Sequence, residues 1–186
     1  GMAKTKEDKL RIAERIFDLC VNRHGFDPSD LVFDMLTFTI GSGDDEYRTA
    51  GVETMEAIRE FQILHPEAGT TLGLSNISFG LDQKARIYLN SIYLDHCVRA
   101  GLTSAIVNVK HIIPLNKISA EDRASCDNLI FNNHENGDPL FAFIEHFSNV
   151  EAQEEQTDEE YQNMPALEKV QMLLMDGDKD RLLPLV

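Results

Sequence analysis

The stretch "TTLGLSNISFGL", residues 70–81, decides how the rest of the chain is read. Its first half is an apolar, β-branched run of the kind that forms a buried strand. Its second half sets Ser75, Asn76 and Ser78 beside Gly80. In parallel α/β folds, ligand chemistry gathers at the carboxyl ends of the strands. Residues 70–74 are then buried wall, and Ser75 and Asn76 are the rim on which a ligand lies. Gly73 would let a flat ligand come close to the backbone. Asn76 fits equally a strand-end or turn cap, and both readings stand at this level.

Working outward, the flanks supply the alternation that this reading needs. Upstream, "LVFDMLTF" (31–38) is a second short apolar run, followed by the glycine-bearing loop "IGSGDDEYRTAG" (40–51). Between the two runs, Val52, Met55, Ile58 and Phe61 recur at spacings of three and predict an inward-facing helix stripe. Before them, residues 5–23 carry Leu10, Ile12, Ala13, Ile16, Phe17, Leu19 and Cys20 on one helical stripe, with Gly25 and Pro28 as stop signals. Downstream, residues 81–101 predict a long helix closed by Gly101, "SAIVNV" (104–109) a third strand, and 119–131 and 138–148 two more helices. Strands alternating with helices predict right-handed βαβ units and a parallel sheet. The strand candidates are apolar at nearly every position, which predicts cover on both faces. Each ends in a polar group, Asp34, Asn76 and Asn108, expected to share one rim.

The bulk composition narrows the partners. The chain has 186 residues and a formal net charge of −15, which argues against nucleic-acid or anionic-membrane surfaces. Its acidity is concentrated in "EAQEEQTDEE" (151–160), read as a solvated linker between residues 149 and 163. No apolar run reaches the ~20 residues of a membrane span. The three scattered cysteines read as reduced thiols, which points to the cytoplasm. No metal-ligand spacing, Gly-x-Gly-x-x-Gly fingerprint, phosphate loop or nucleophile elbow occurs.

Three segments together carry a family resemblance: "DPSDLVFDMLTFTIGSGDDEYRTAGVETMEAIR", "TTLGLSNISFGLDQKARIYLNSIYLDHCVRAGLTSAIVN" and "GDPLFAFIEHF". They resemble the pterin-binding module of cobalamin-dependent methionine synthases, a TIM barrel that binds 5-methyltetrahydrofolate at its strand ends. The resemblance implies that Asp34 holds the amino-pyrimidine edge of the pterin and that Asn76 stands at N5, where the methyl leaves. It implies that Gly73 and Ser75 line the pocket, with Arg86 and Asn108 as further contacts. The methyl acceptor it implies is cobalamin, bound by a domain outside this chain, whose Asp-x-His-x-x-Gly signature the sequence lacks.

A full barrel takes about 250 residues and eight strands. The expectation is therefore a partial TIM barrel of about three parallel βα units over residues 1–148, with a short helical tail at 164–186 that resembles the start of a helical cap. Such a piece would be inactive alone. It would associate with itself or with a complementary amino-terminal barrel half through its uncovered strand edge. Another pterin enzyme of the dihydropteroate-synthase-like superfamily, or a non-catalytic assembly piece, are the competing readings.

Overall fold

The computed structural model of the chain describes residues 2–135, 137–148, 164–165 and 168–169. It divides into two compact units, Gly1–His146 and Phe147–Val186. The expected acidic linker and nearly all of the expected helical tail lie outside the described residues. The first unit holds the sheet and the helices that position the site.

Helix α1 (Lys6–Phe17) starts where the Thr5 hydroxyl accepts from the Asp8 amide, with Glu7 and Asp8 complementing the positive end of the helix. It runs on as one π-helical stretch, Asp18–Arg23, and stops at Gly25 with φ +72°. The expected stripe is only partly interior. Leu10 and Ala13 are buried, whereas Ile16 and Leu19 are exposed. Strand β1 (Val32–Asp34) comes next, then a long loop and helix α2 (Ala50–Leu64). Met55, Ile58 and Phe61 point inward as the three-residue spacing requires, and the Phe61 ring lies 4.6 Å from that of Phe33.

Strand β2 (Gly69–Thr71) pairs parallel with β1 in the register Val32–Gly69, Phe33–Thr70, Asp34–Thr71. The chain then turns into a 3-10 helix, Leu74–Ser78, and helix α3 (Gln83–Ala100), whose Asp82 cap accepts from the Lys84 amide. Gly101 closes α3 in the left-handed region, φ +111°, where a side chain would be strained. Helix α4 (Ala120–Ile130) follows, and residues 139–146 of the first unit are helical as well. The centre of the core is Ile58, Phe61, Leu72, Leu74, Ile77, Leu89 and Tyr93, all fully buried. Each such side chain contributes about 1.5–3 kcal/mol relative to exposure.

The structure corrects two expectations. The third strand is reduced to a single parallel bridge, Gly73 to Ile106. The Ser104 and Ile106 amides still donate to the Thr70 and Leu72 carbonyls, at 3.0 and 2.8 Å. The Thr103 hydroxyl, however, takes over the start of the ladder. It accepts from the Thr70 amide at 2.8 Å and donates to the Thr70 carbonyl at 2.7 Å. At the other end, Asn108 caps the 3-10 turn Val109–His111 and draws the backbone out of the sheet. Nor are the strands covered on both faces. Exposure alternates along 32–37: Phe33, Met35 and Thr37 are buried while Val32, Asp34 and Leu36 face out. The apolar run hides a period of two, because two of its three solvent-side residues, Val32 and Leu36, are themselves apolar.

Candidate functional site

The uncovered face of the sheet is defined by its register. Side chains alternate across a strand, and register partners in a parallel pair share a face. Val32, Asp34, Gly69, Thr71, Gly73 and Ile106 therefore lie on one side, opposite Phe33, Thr70 and Leu72 of the core. That side is open: Val32 is 59% and Ile106 70% exposed. Asp34 closes the carboxyl end of β1 on it. Gly73 lies two residues beyond Asp34's register partner Thr71, and Asn108 comes two residues of the chain after Ile106.

The Asp34 carboxylate keeps one oxygen on the Leu36 amide, at 2.9 Å, which turns the chain out of β1. Leu36 sits in the left-handed region, φ +57°. What holds this turn is Lys9, a residue that sequence reasoning missed. Lys9 is 3% exposed. Its ammonium donates to the carbonyls of Ala3, Met35 and Leu36 at 3.2, 2.8 and 2.7 Å. Burial lowers its pKa to about 8, against the opposing pull of the Glu53 and Asp34 charges. The signal was present in the sequence: Lys9 precedes Ala13 by four residues and Ile16 by seven, which puts a lysine on an apolar stripe.

Asn76 does not end a strand. It lies in the 3-10 helix Leu74–Ser78, exposed, with its amide folded back over Gly73. A Cβ at position 73 would stand 3.1 Å from Asn76 Nδ2. The glycine thus makes room for the amide as well as baring the strand. The two rim loops are tied together. The Ile40 amide donates to the Ile77 carbonyl at 3.0 Å, and the Thr39 hydroxyl to the Phe79 carbonyl at 2.6 Å. Gly41 packs so closely on Leu81 that a Cβ there would come within 2.6 Å of it.

Ser75, Arg86 and Asn108 meet elsewhere, in a cleft of about 270 Å³ between the start of α3 and residues 107–112. Arg86 Nε donates to the Ser78 hydroxyl at 3.1 Å, and its terminal nitrogen to the Ser75 carbonyl at 3.3 Å. Ser78 lies 2.9 Å from Asn90 Oδ1 and 3.1 Å from the Ser75 carbonyl, so its single proton serves one of them. The sequence-predicted residues thus fall into two groups. Asp34, Gly73 and Asn76 belong to the open sheet end, and Ser75, Arg86 and Asn108 to the cleft, with Ser75 next in the chain to Asn76. Asn90 and His111 were not anticipated, because nothing local in the sequence separates a polar residue lining a cleft from one on a solvated helix face.

A βαβ unit with an open sheet face and a polar carboxyl-end rim defines a class of α/β ligand-binding protein. The comparison with protein families names it. Residues 1–108, more than half of the chain, match the pterin binding enzymes, and the chain belongs to that family. Over 185 residues it is 42% identical to the methionine synthase of Mycobacterium tuberculosis (strain ATCC 25618 / H37Rv), covering 98% of this chain and 16% of that protein. It is 40% identical over 185 residues to the methionine synthase of Mycobacterium leprae (strain TN), covering 98% and 15%. The chain therefore spans less than a fifth of the length of the curated relatives it matches. No helix among the described residues is long and apolar enough to cross a membrane.

Proposed function

We propose that this chain forms part of the 5-methyltetrahydrofolate surface of a cytoplasmic, methionine-synthase-like methyltransferase. Its open sheet face would be the inner wall of a TIM-type barrel, with the remaining strands supplied from outside the described residues or by another copy. The observation that carries the reading is the uncovered sheet end where Asp34, Gly73 and the Asn76 amide gather, in a member of the pterin-binding family that resembles methionine synthases along 98% of its length.

The residue types suit the task. The Asp34 carboxylate has its second oxygen toward solvent and can accept from an amino-pyrimidine edge, which fixes the ring's orientation. The Asn76 amide can donate or accept as N5 changes protonation, without a buried charge. A tertiary amine leaves poorly, so a preorganised hydrogen bond at N5 is worth most as the methyl departs. A corrinoid held on another domain would supply the nucleophile that takes the methyl. In this chain Gly73 and Ser75 shape the approach, Asn108 extends the rim, and Arg86 fixes the Ser75 carbonyl.

The test has a binding arm and a rate arm. 5-Methyltetrahydrofolate is titrated calorimetrically against the chain and against Asp34→Ala, with loss of the Asp34 contact expected to weaken binding by roughly tenfold or more. In the full-length enzyme, Asn76→Ala should slow single-turnover methyl transfer by about 10²–10³ while folate affinity falls less. An unchanged transfer rate would mean that Asn76 is a cap and not a group that touches the substrate.

A further inference from the structure

The cleft beside the sheet end has a character that pterin binding alone does not use. In a chain with 32 acidic residues, its lining contains no Asp or Glu. The lining does contain Arg86, the His111 imidazole and the amides of Gln83, Asn90 and Asn108. Arg86 forms no ion pair with a carboxylate among the described residues, and its two hydrogen bonds, both to neutral oxygens, leave guanidinium N–H groups free. Asn90 is only 7% exposed, and its Oδ1 faces Ser78. Its Nδ2 has no partner among the described residues, and the cleft is the open space that it lines. Asn108 likewise spends its oxygen on the Lys110 amide, at 3.1 Å, and keeps its amide N–H groups.

Donors outnumber acceptors around one fixed cation, which suits a carboxylate. Resting on the proposed folate function, we propose that this cleft takes the terminal carboxylates of the substrate's glutamyl tail. A folate carries its pterin and its glutamate at opposite ends of an aminobenzoyl bridge. Ser75, in the cleft, is next in the chain to Asn76 at the sheet end, so a pterin at Asp34 and Asn76 directs its tail past Ser75 toward Arg86. The Arg86 fork, already anchored on the Ser75 carbonyl, then reports tail occupancy directly to the residue before Asn76.

The test compares ligands with and without the tail on the same chain. Calorimetric titrations use 5-methyltetrahydrofolate, its tri-γ-glutamyl form and a 6-methyltetrahydropterin that lacks the tail, on wild type, Arg86→Gln and Arg86→Lys. The expected result is a roughly tenfold preference for tailed ligands that collapses in Arg86→Gln and survives in part in Arg86→Lys, the loss for tailed ligands being well beyond any loss for the tailless one. Equal loss for tailed and tailless ligands in Arg86→Gln would reduce Arg86 to a brace for the Ser75 loop and overturn the proposal. So would a preference that outlives Arg86→Gln. Inorganic phosphate forms the second arm. Competition by phosphate against tailed but not tailless ligand supports the cleft as the anion subsite, whereas phosphate bound tightly and not displaced by the triglutamyl form overturns the glutamyl assignment. If the tailless pterin fails to bind wild type, the pterin reading fails by itself. p-Aminobenzoyl-triglutamate, followed by amide and imidazole NMR shifts at Asn90 and His111, then still decides the cleft: shifts abolished by Arg86→Gln support it, and their absence overturns it.

Discussion

Replacing Lys9 by Met tests how the turn after Asp34 is held. The substitution keeps the length and apolar stem of the side chain but removes the ammonium that bridges the Ala3, Met35 and Leu36 carbonyls. Two effects oppose each other at neutral pH. Three carbonyls lose a charged donor, at about 1–3 kcal/mol for each acceptor left unpaired. Leu36 is spared in part, because its oxygen also accepts from the Thr54 hydroxyl at 3.2 Å. Against this, a buried charge is removed. The pH dependence separates the two. The folded pKa of Lys9, about 8, lies below the ordinary value of 10.5. Between those values the folded chain binds fewer protons than the unfolded one, so stability rises with pH across that window. Below it the full cost of burying the charge falls on the fold. Integrated from about pH 7 to about pH 9, the Lys9 contribution to wild type grows by about 1 kcal/mol. Cys97 works in the opposite direction above its ordinary value of 9.0, since burial pushes its thiol up to about 12, but it does so equally in both proteins. Urea unfolding followed by circular dichroism, on wild type and Lys9→Met at both pH values, gives the difference of differences. Wild type should gain on the variant by about 1 kcal/mol over that interval. A gap that stays constant with pH would refute the reasoning, because Lys9 would then titrate alike in the folded and unfolded chains.

Other substitutions probe the remaining devices. Gly73→Ala should displace the Asn76 amide, whose Nδ2 would lie 3.1 Å from the new Cβ. A changed Asn76 side-chain NMR signal with stability altered by under about 1 kcal/mol checks it, and an unmoved amide would contradict the packing. Gly101→Ala forces a side chain into φ +111° against Gln62 and should cost about 1–2 kcal/mol in urea unfolding. Thr103→Val strips the hydroxyl that serves both the amide and the carbonyl of Thr70. Amide exchange at Thr70 should quicken, with about 1–3 kcal/mol of stability lost. In mass-spectrometric alkylation of the native protein, half-exposed Cys20 should react well before Cys97 and Cys126, which are fully buried and whose thiols burial holds in the unreactive form. Equal labelling of all three would contradict that burial.

What the sequence determined by itself was set by local physics. The three-residue spacing of Met55, Ile58 and Phe61 has one low-energy solution, a helix with that stripe inward. Gly101 ends α3 because only a residue without Cβ sits comfortably at its φ. The parallel pairing of β1 with β2 came from the helix between them, and membership of the pterin-binding family from the motifs around Asp34 and Asn76. Tertiary structure alone decided the rest. An apolar run cannot say whether its alternate residues are covered, so the open face bearing Val32, Asp34 and Ile106 was invisible. The third strand was lost because the hydroxyl of Thr103, thirty-three residues from Thr70, takes over part of the ladder. Arg86, Asn90 and His111 converge on one cleft only because the start of α3 and the segment after Ile106 are brought side by side. Each of these depends on which distant atoms a polar group meets, and that partner is a property of the packed chain and not of the neighbouring sequence.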